Sequence, residues 1–174
     1  GTRGGGTDKF DVYLAELGPS GYYGYCAPDD PYLDGHGTTA AYCVLDNNYS
    51  PGEYGTRNTP AELLKVTGAH EYFHAVQFAY DFGQSAFLME GTATWVEDEV
   101  YDSINDNRQY LPYGPLGRPA QALGSSAGLA EYGSWIYFRH LSERFPTEVG
   151  KLPVILREIW ERAASTKSVT AIDA

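Results

Sequence analysis

The chain has 174 residues, of which 43% are hydrophobic and 20% are charged, a composition typical of a folded domain of moderate size. Its formal net charge is -11, and such an acidic chain lacks the basic surface that binds a nucleic-acid backbone, so we expect no nucleic-acid partner. No stretch approaches the roughly 18 consecutive apolar residues of a membrane-spanning helix, so we expect no membrane span.

The two ends of the chain differ in pattern from its central part. Residues 1–7 are rich in glycine and predict a flexible lead-in. Residues 166–174 have the pattern of a further element that is cut short, so we expect a truncated C-terminal end. Between them no internal repeat, low-complexity tract or linker interrupts the sequence. We therefore predict that residues 1–174 form the core of a single domain.

The first third of the chain has the pattern of short β-strands. Residues 9–17 alternate apolar and polar side chains with a period of two and end at the turn formers Gly18 and Pro19. Residues 22–26 and 40–45 predict two further strands, joined by a connection rich in Pro, Asp and Gly. We expect a small N-terminal sheet that is mostly antiparallel.

The only two cysteines, Cys26 and Cys43, lie at the ends of two of these predicted strands. Their placement is typical of a disulfide that closes a hairpin-like loop. Such a bond implies an oxidising, extracellular compartment, which the acidic character of the chain also fits. We therefore predict a secreted protein. The alternative is a pair of reduced, partly buried thiols.

The pattern changes to helix at Thr59. Thr59 is placed to cap a helix, Pro60 to occupy its first turn, and Glu62 to complete a capping box. The apolar spacing predicts a helix from there to about Phe82, where Gly83 can end it in a left-handed conformation.

The remainder of the chain is predicted to be helical. Three further helices are expected over residues 87–101, 129–145 and 153–164, with a long Pro- and Gly-rich loop over residues 110–128. A small sheet followed by helices predicts the α+β class.

Two histidines and a glutamate lie in the long predicted helix. His70 and His74 are about 40° apart around the helix axis, so they can bind one metal ion together. Glu71 lies about 100° from His70 and is placed to act as a general base toward a metal-bound water. The surrounding helix is apolar, and a divalent cation compensates the cost of burying these polar groups. The alternative is two hydrogen-bonded core histidines, with Glu71 paired with an arginine.

A catalytic zinc site needs a third protein ligand and an open fourth position. Cys26 and Cys43 are poor candidates if they are bridged. The next predicted helix carries Glu90 and Glu97, which are seven residues apart and so share a face. From the residues alone, both glutamates compete for the role of third ligand.

The motif H-E-x-x-H at residues 70–74, followed by E-G-x-A-x-W-x-E at residues 90–97, resembles the gluzincin metallopeptidases. The nearest resemblance is to an uncharacterised group of secreted bacterial metalloproteases, and it covers residues 8–164. It implies a zincin-like fold and one catalytic Zn²⁺ bound by His70, His74 and Glu90. Fifteen residues separate His74 from Glu90, fewer than in aminopeptidases and thermolysin-like enzymes, which requires a short turn between the two helices.

The resemblance also bears on Glu97 and Tyr132. It makes Glu97 a group that accepts the free N–H of a ligand histidine, whereas the alternative is that residues 97–99 form a solvated acidic stripe. Tyr132 resembles a tyrosine that follows the zinc site in many gluzincins and would donate its hydroxyl to the oxyanion. The alternative for Tyr132 is core packing, and its main rivals for the role are Tyr137 and His140, ahead of His36.

These roles imply a zinc metallopeptidase, either a metalloendopeptidase or an aminopeptidase-like enzyme, with Glu71 as general base. The substrate would be a peptide or protein that pairs its backbone with an edge of the sheet. One alternative is a zinc hydrolase of a small amide. Another is a catalytically inactive, zinc-stabilised binding or surface module, although a purely structural site has no need of Glu71.

Overall fold

A computed structural model of the chain describes residues 8–29, 37–149 and 152–165. The predicted lead-in, His36 and the predicted truncated end at residues 166–174 lie outside the described residues. The chain divides into two compact units. The first comprises Gly1–Phe82 and Val96–Asp106, and the second comprises Gly83–Trp95 and Asn107–Ala174.

The first unit contains a three-stranded sheet of β1 (Val12–Ala15), β2 (Gly24–Pro28) and β3 (Ala41–Asp46), in the order β1-β3-β2. β2 is antiparallel to β3, but β1 is parallel to it, so the sheet is mixed and the prediction of a mostly antiparallel sheet needs correction. The alternation of side chains along a strand indicates its two faces but not the direction of its neighbour.

The central strand β3 carries the buried part of the sheet. Cys43, Val44 and Leu45 are buried, whereas Val12 and Leu14 of the edge strand β1 are exposed. The alternating pattern in residues 9–17 therefore predicted the strand but not the burial of its apolar side chains.

Cys26 and Cys43 are directly opposite each other on β2 and β3 and form the predicted disulfide. A disulfide is compatible with a secreted protein. None of the helices in the described parts of the chain is long and apolar enough to cross a bilayer.

After a short helix α1 (Pro51–Tyr54), the long helix α2 spans Pro60–Phe78 and begins where the sequence predicts. The Thr59 side chain accepts a hydrogen bond from the Glu62 backbone N–H at 3.3 Å, and the Glu62 carboxylate accepts one from the Thr59 backbone N–H at 2.8 Å. This reciprocal pair is the predicted capping box.

The end of α2 differs from the prediction, because the helix stops at Phe78 and Gly83 is not left-handed. Two residues that follow the helix form hydrogen bonds with Gly37 instead of continuing the helical pattern. The buried Asp81 carboxylate accepts a hydrogen bond from the Gly37 N–H at 2.9 Å, and the Phe82 N–H donates to the Gly37 carbonyl at 3.0 Å. These long-range contacts, which local spacing does not reveal, explain the early end.

The next helix, α3, spans Ala86–Tyr101 and agrees closely with the prediction. It is one continuous helix, although residues up to Trp95 belong to the second unit and residues from Val96 belong to the first. The relative positions of two residues on α3 follow from the regular geometry of the helix.

The second unit continues with a 3₁₀ helix at Asp106–Tyr113, whose first residue belongs to the first unit. Turns without helix or strand then occupy residues 114–129, so the predicted long loop is helical in its first part. The remaining elements are α4 (Ala130–Gly133), α5 (Trp135–Arg144), β4 (Glu148–Val149), β5 (Leu152–Pro153) and α6 (Val154–Ala163).

The helix predicted over residues 129–145 is thus two helices that meet at Ser134. At this break the backbones of Gly133 and Gly114 touch, and a Cβ on either glycine would overlap the other residue. This close approach is a tertiary feature. The core of the unit includes the fully buried side chains of Phe87, Leu88 and Phe138.

The described chain confirms the α+β class, with a small three-stranded sheet, a two-stranded sheet of β4 and β5, and a mostly helical C-terminal part. Pro153 precedes α6, in agreement with its predicted place at a helix start.

Candidate metal centre

His70 and His74 lie one turn apart on α2 and are both buried, with 7% and 9% of their surface exposed. Their ring centroids are 4.7 Å apart, and the ring planes are nearly perpendicular at 83°. The spacing of four residues on one helix therefore places the two imidazoles together, as predicted.

Each imidazole uses Nδ1 for a hydrogen bond with a buried oxygen atom. His70 Nδ1 is 2.7 Å from Glu97 Oε1, and His74 Nδ1 is 2.7 Å from Gln77 Oε1. An ionised carboxylate or an amide oxygen accepts a hydrogen bond, so both contacts favour the tautomer with the proton on Nδ1. In that tautomer Nε2 keeps its lone pair and is the atom that would bind a metal ion in each histidine.

Glu97 is buried beside His70 and other acidic groups. Burial raises the pKa of Glu97, the hydrogen bond with His70 lowers it, and the Asp106 and Glu71 carboxylates raise it, with a net value of about 7. The interpretation of residues 97–99 as a solvated acidic stripe is therefore wrong for Glu97, and also for Asp98, which is buried too.

Glu90 lies two turns before Glu97 on α3 and shares its face. One candidate ligand atom from each of His70, His74 and Glu90 lies within 4.8 Å of the other two, and these three residues can hold a metal ion. This group contains Glu90, whereas Glu97 hydrogen-bonds His70 Nδ1. The arrangement favours Glu90 as the candidate third ligand.

The donor set fits a zinc ion. Two imidazole nitrogens and one carboxylate oxygen are typical ligands of catalytic zinc sites, in which a fourth position stays open. The hydrogen bonds at both Nδ1 atoms are those that orient metal-bound histidines in known sites.

Glu71 is buried on α2 and lies against β2 of the same unit. A Cβ placed on Gly24 of β2 would lie only 2.9 Å from Glu71 Cγ and 3.0 Å from a side-chain carbon of Thr67. The two disulfide sulfurs lie 2.8 Å (Cys26) and 3.3 Å (Cys43) from the Glu71 carbonyl oxygen. Both the side chain and the backbone of Glu71 are thus held against the sheet.

Tyr132 of α4 contacts Glu90 within the second unit. Burial raises the pKa of the Tyr132 hydroxyl, and the Glu90 carboxylate raises it further because it carries negative charge and hydrogen-bonds with that hydroxyl. The Tyr132 ring also packs on the Tyr110 ring, with centroids 5.1 Å apart. Of its rivals, Tyr137 packs against the Phe87 ring and His140 is exposed.

Several residues at this site were not predicted. Gln77 follows His74 by three residues on α2, and this helical spacing is a signal that it shares a face with the histidine. Gly24 and Tyr110 gave no local signal, because each meets its partner across a long sequence separation.

Comparison with models of protein families, with curated proteins and with solved structures finds no match to this chain. The gluzincin resemblance therefore rests on the two motifs alone.

Proposed function

We propose that the protein is a secreted zinc metallopeptidase of the gluzincin type. The observation that supports this proposal best is the grouping of His70, His74 and Glu90, each with a ligand atom within 4.8 Å of the others. A buried glutamate, Glu71, directly follows the first histidine, and a purely structural metal site has no need of it.

Each residue has one task in the proposed reaction. His70, His74 and Glu90 hold the Zn²⁺, which when bound polarises a carbonyl group and makes water a stronger acid. Glu71 accepts a proton from the attacking water and then delivers it to the leaving amine. When substrate is bound, the Tyr132 hydroxyl turns from Glu90 and donates its hydrogen bond to the oxygen that gains negative charge. Glu97 keeps the His70 ring in place.

The proposed substrate is a peptide or protein in an extended conformation. β2 is an edge strand of the sheet, and its Gly24 lies against the Glu71 side chain. A peptide that added to this edge would pass close to the general base, because strand addition aligns its backbone with β2.

A test compares the wild type with Glu71→Gln, which keeps the shape of the side chain but removes the base. We expect the variant to retain bound zinc and to lose about 10²- to 10⁴-fold in kcat for a mixed peptide library. The matched control is Glu158→Gln on the exposed face of α6, which should leave turnover unchanged. Equal cleavage by the wild type and Glu71→Gln would refute the proposal. Zinc binding without any peptide cleavage by the wild type would favour the binding module.

A further inference from the structure

Gln77 is a deeply buried polar residue that hydrogen-bonds His74, one of the two candidate ligand histidines. Only 1% of its surface is exposed, and its Oε1 lies 2.7 Å from His74 Nδ1. It is three residues after His74 in the last turn of α2, so the helix itself sets this contact.

The chemistry of the amide determines which atom donates this hydrogen bond and which accepts it. The Gln77 carbonyl oxygen only accepts, so His74 Nδ1 donates and His74 Nε2 is left as the ligand atom. A fixed acceptor at Nδ1 selects the tautomer and the ring orientation that metal binding requires. A solvent molecule gives the same hydrogen bond without fixing the ring.

We propose that Gln77 is a positioning residue for the metal centre and acts by holding His74 in its metal-binding tautomer. The inference rests on the proposed metal site but not on peptide hydrolysis. It assigns a role to a buried glutamine that the zinc motif itself does not include.

The two histidines have unlike partners, and the difference has an electrostatic reason. His70 donates to the carboxylate of Glu97, while His74 donates to a neutral amide. Three carboxyl groups, those of Glu71, Glu90 and Glu97, lie at or beside the two histidines. One zinc ion carries only two positive charges. A neutral acceptor at residue 77 orients the second ring without a further buried charge, which would be costly.

Two substitutions separate positioning from packing. Gln77→Met keeps a long unbranched side chain but has no strong acceptor, whereas Gln77→Glu keeps the acceptor at similar size. The matched control is Gln121→Met, at a half-buried glutamine that hydrogen-bonds Ser125 in the second unit.

The measurement is the Zn²⁺ dissociation constant of the full chain by competition with a chromophoric chelator, with thermal unfolding of the metal-free protein alongside. We expect Gln77→Met to weaken Zn²⁺ binding about 10- to 100-fold. Gln77→Glu should bind Zn²⁺ more tightly than Gln77→Met, with the cost of its further buried carboxyl group seen as lower thermal stability of the metal-free protein. Gln121→Met should equal the wild type. With Co²⁺ as the probe, the visible absorption band should change in Gln77→Met and not in the control.

Two results would overturn the inference. One is Gln77→Met binding Zn²⁺ as tightly as the wild type. The other is an equal loss of affinity in Gln77→Met and Gln77→Glu that follows their loss of thermal stability, since this is the outcome of a packing role. Failure of the metal site itself is distinguishable, because the wild type would then bind no zinc, whereas the two results above appear only in the variants.

Discussion

The two histidines on α2 and the pair formed by Glu90 and Tyr132 differ in how their geometry is fixed. The partner of His74 is three residues away on the same helix, and Glu97, the partner of His70, belongs to the same unit. Tyr132, in contrast, reaches Glu90 from a short helix that follows a long turn-rich segment. The first arrangement is set largely by helical repeat, and the second depends on tertiary packing.

This difference assigns separate effects to the two regions. The residues on α2 should determine whether metal binds, because they provide two of the three ligands and their orientation. Tyr132 should determine how fast the bound substrate reacts, because it contacts a ligand but is not one of the three. Each variant below tests one side of this division.

Among the variants that test this division, the largest effect is expected at Tyr132. Tyr132→Phe removes the hydroxyl and keeps the ring, so kcat should fall about 10²- to 10³-fold while zinc content stays at the wild-type level. Tyr137→Phe is the matched control, since this ring lies beside Phe87, and should have little effect. An unchanged kcat for Tyr132→Phe would assign Tyr132 to core packing, and a loss of zinc would place it with the α2 residues.

A smaller effect is expected at Gly24, which belongs to the first unit. In Gly24→Ala the new methyl group would push against the Glu71 side chain and displace the base, so kcat should fall by about tenfold or more with zinc retained. Gly68→Ala is the matched control on α2, where an added Cβ meets nothing within 4 Å. If the two variants have the same turnover, the contact between β2 and Glu71 does not position the base.

Asp46 should affect stability and not the reaction. Burial raises its pKa, but hydrogen bonds from the backbone N–H groups of Asn48, Tyr49 and Leu17 outweigh this and lower the pKa from 3.8 to about 2. A carboxylate with a depressed pKa stabilises the fold above its unfolded pKa and loses that contribution as the pH falls through the folded pKa.

Asp46→Asn should therefore lower the free energy of unfolding by about 2 kcal/mol near neutral pH. The difference from the wild type should shrink as the pH falls from about 4 to 2, as urea denaturation at several pH values would show. Asp102→Asn, at an exposed carboxylate, is the control. A difference that did not depend on pH would contradict the role of the charge.

The sequence predicted those parts of the fold and the site that depend on local pattern. The capping box of Thr59 and Glu62 marked the start of α2, and the four-residue repeat brought His70 and His74 together. Glu90 required the resemblance, because helical spacing alone could not separate it from Glu97. In the structure Glu90 groups with the two histidines and Glu97 hydrogen-bonds His70, which favours Glu90.

The errors arose where contacts between distant residues override local preference. The helix α2 ends early because Asp81 binds Gly37, and the predicted helix over residues 129–145 breaks where Gly133 meets Gly114. The direction of β1 has the same cause, since only its pairing with β3 defines it. Gln77 is the exception, because its spacing from His74 could have revealed it.

The most direct test of the central claim is the zinc content of the purified chain after removal of metal by a chelator and addition of Zn²⁺. About one Zn²⁺ per chain is predicted for the wild type, and much less than one for His74→Ala and for Glu90→Ala. His140→Ala, at an exposed histidine, should retain the wild-type content. A wild type without zinc, or full zinc content in both ligand variants, would contradict the metal centre formed by His70, His74 and Glu90.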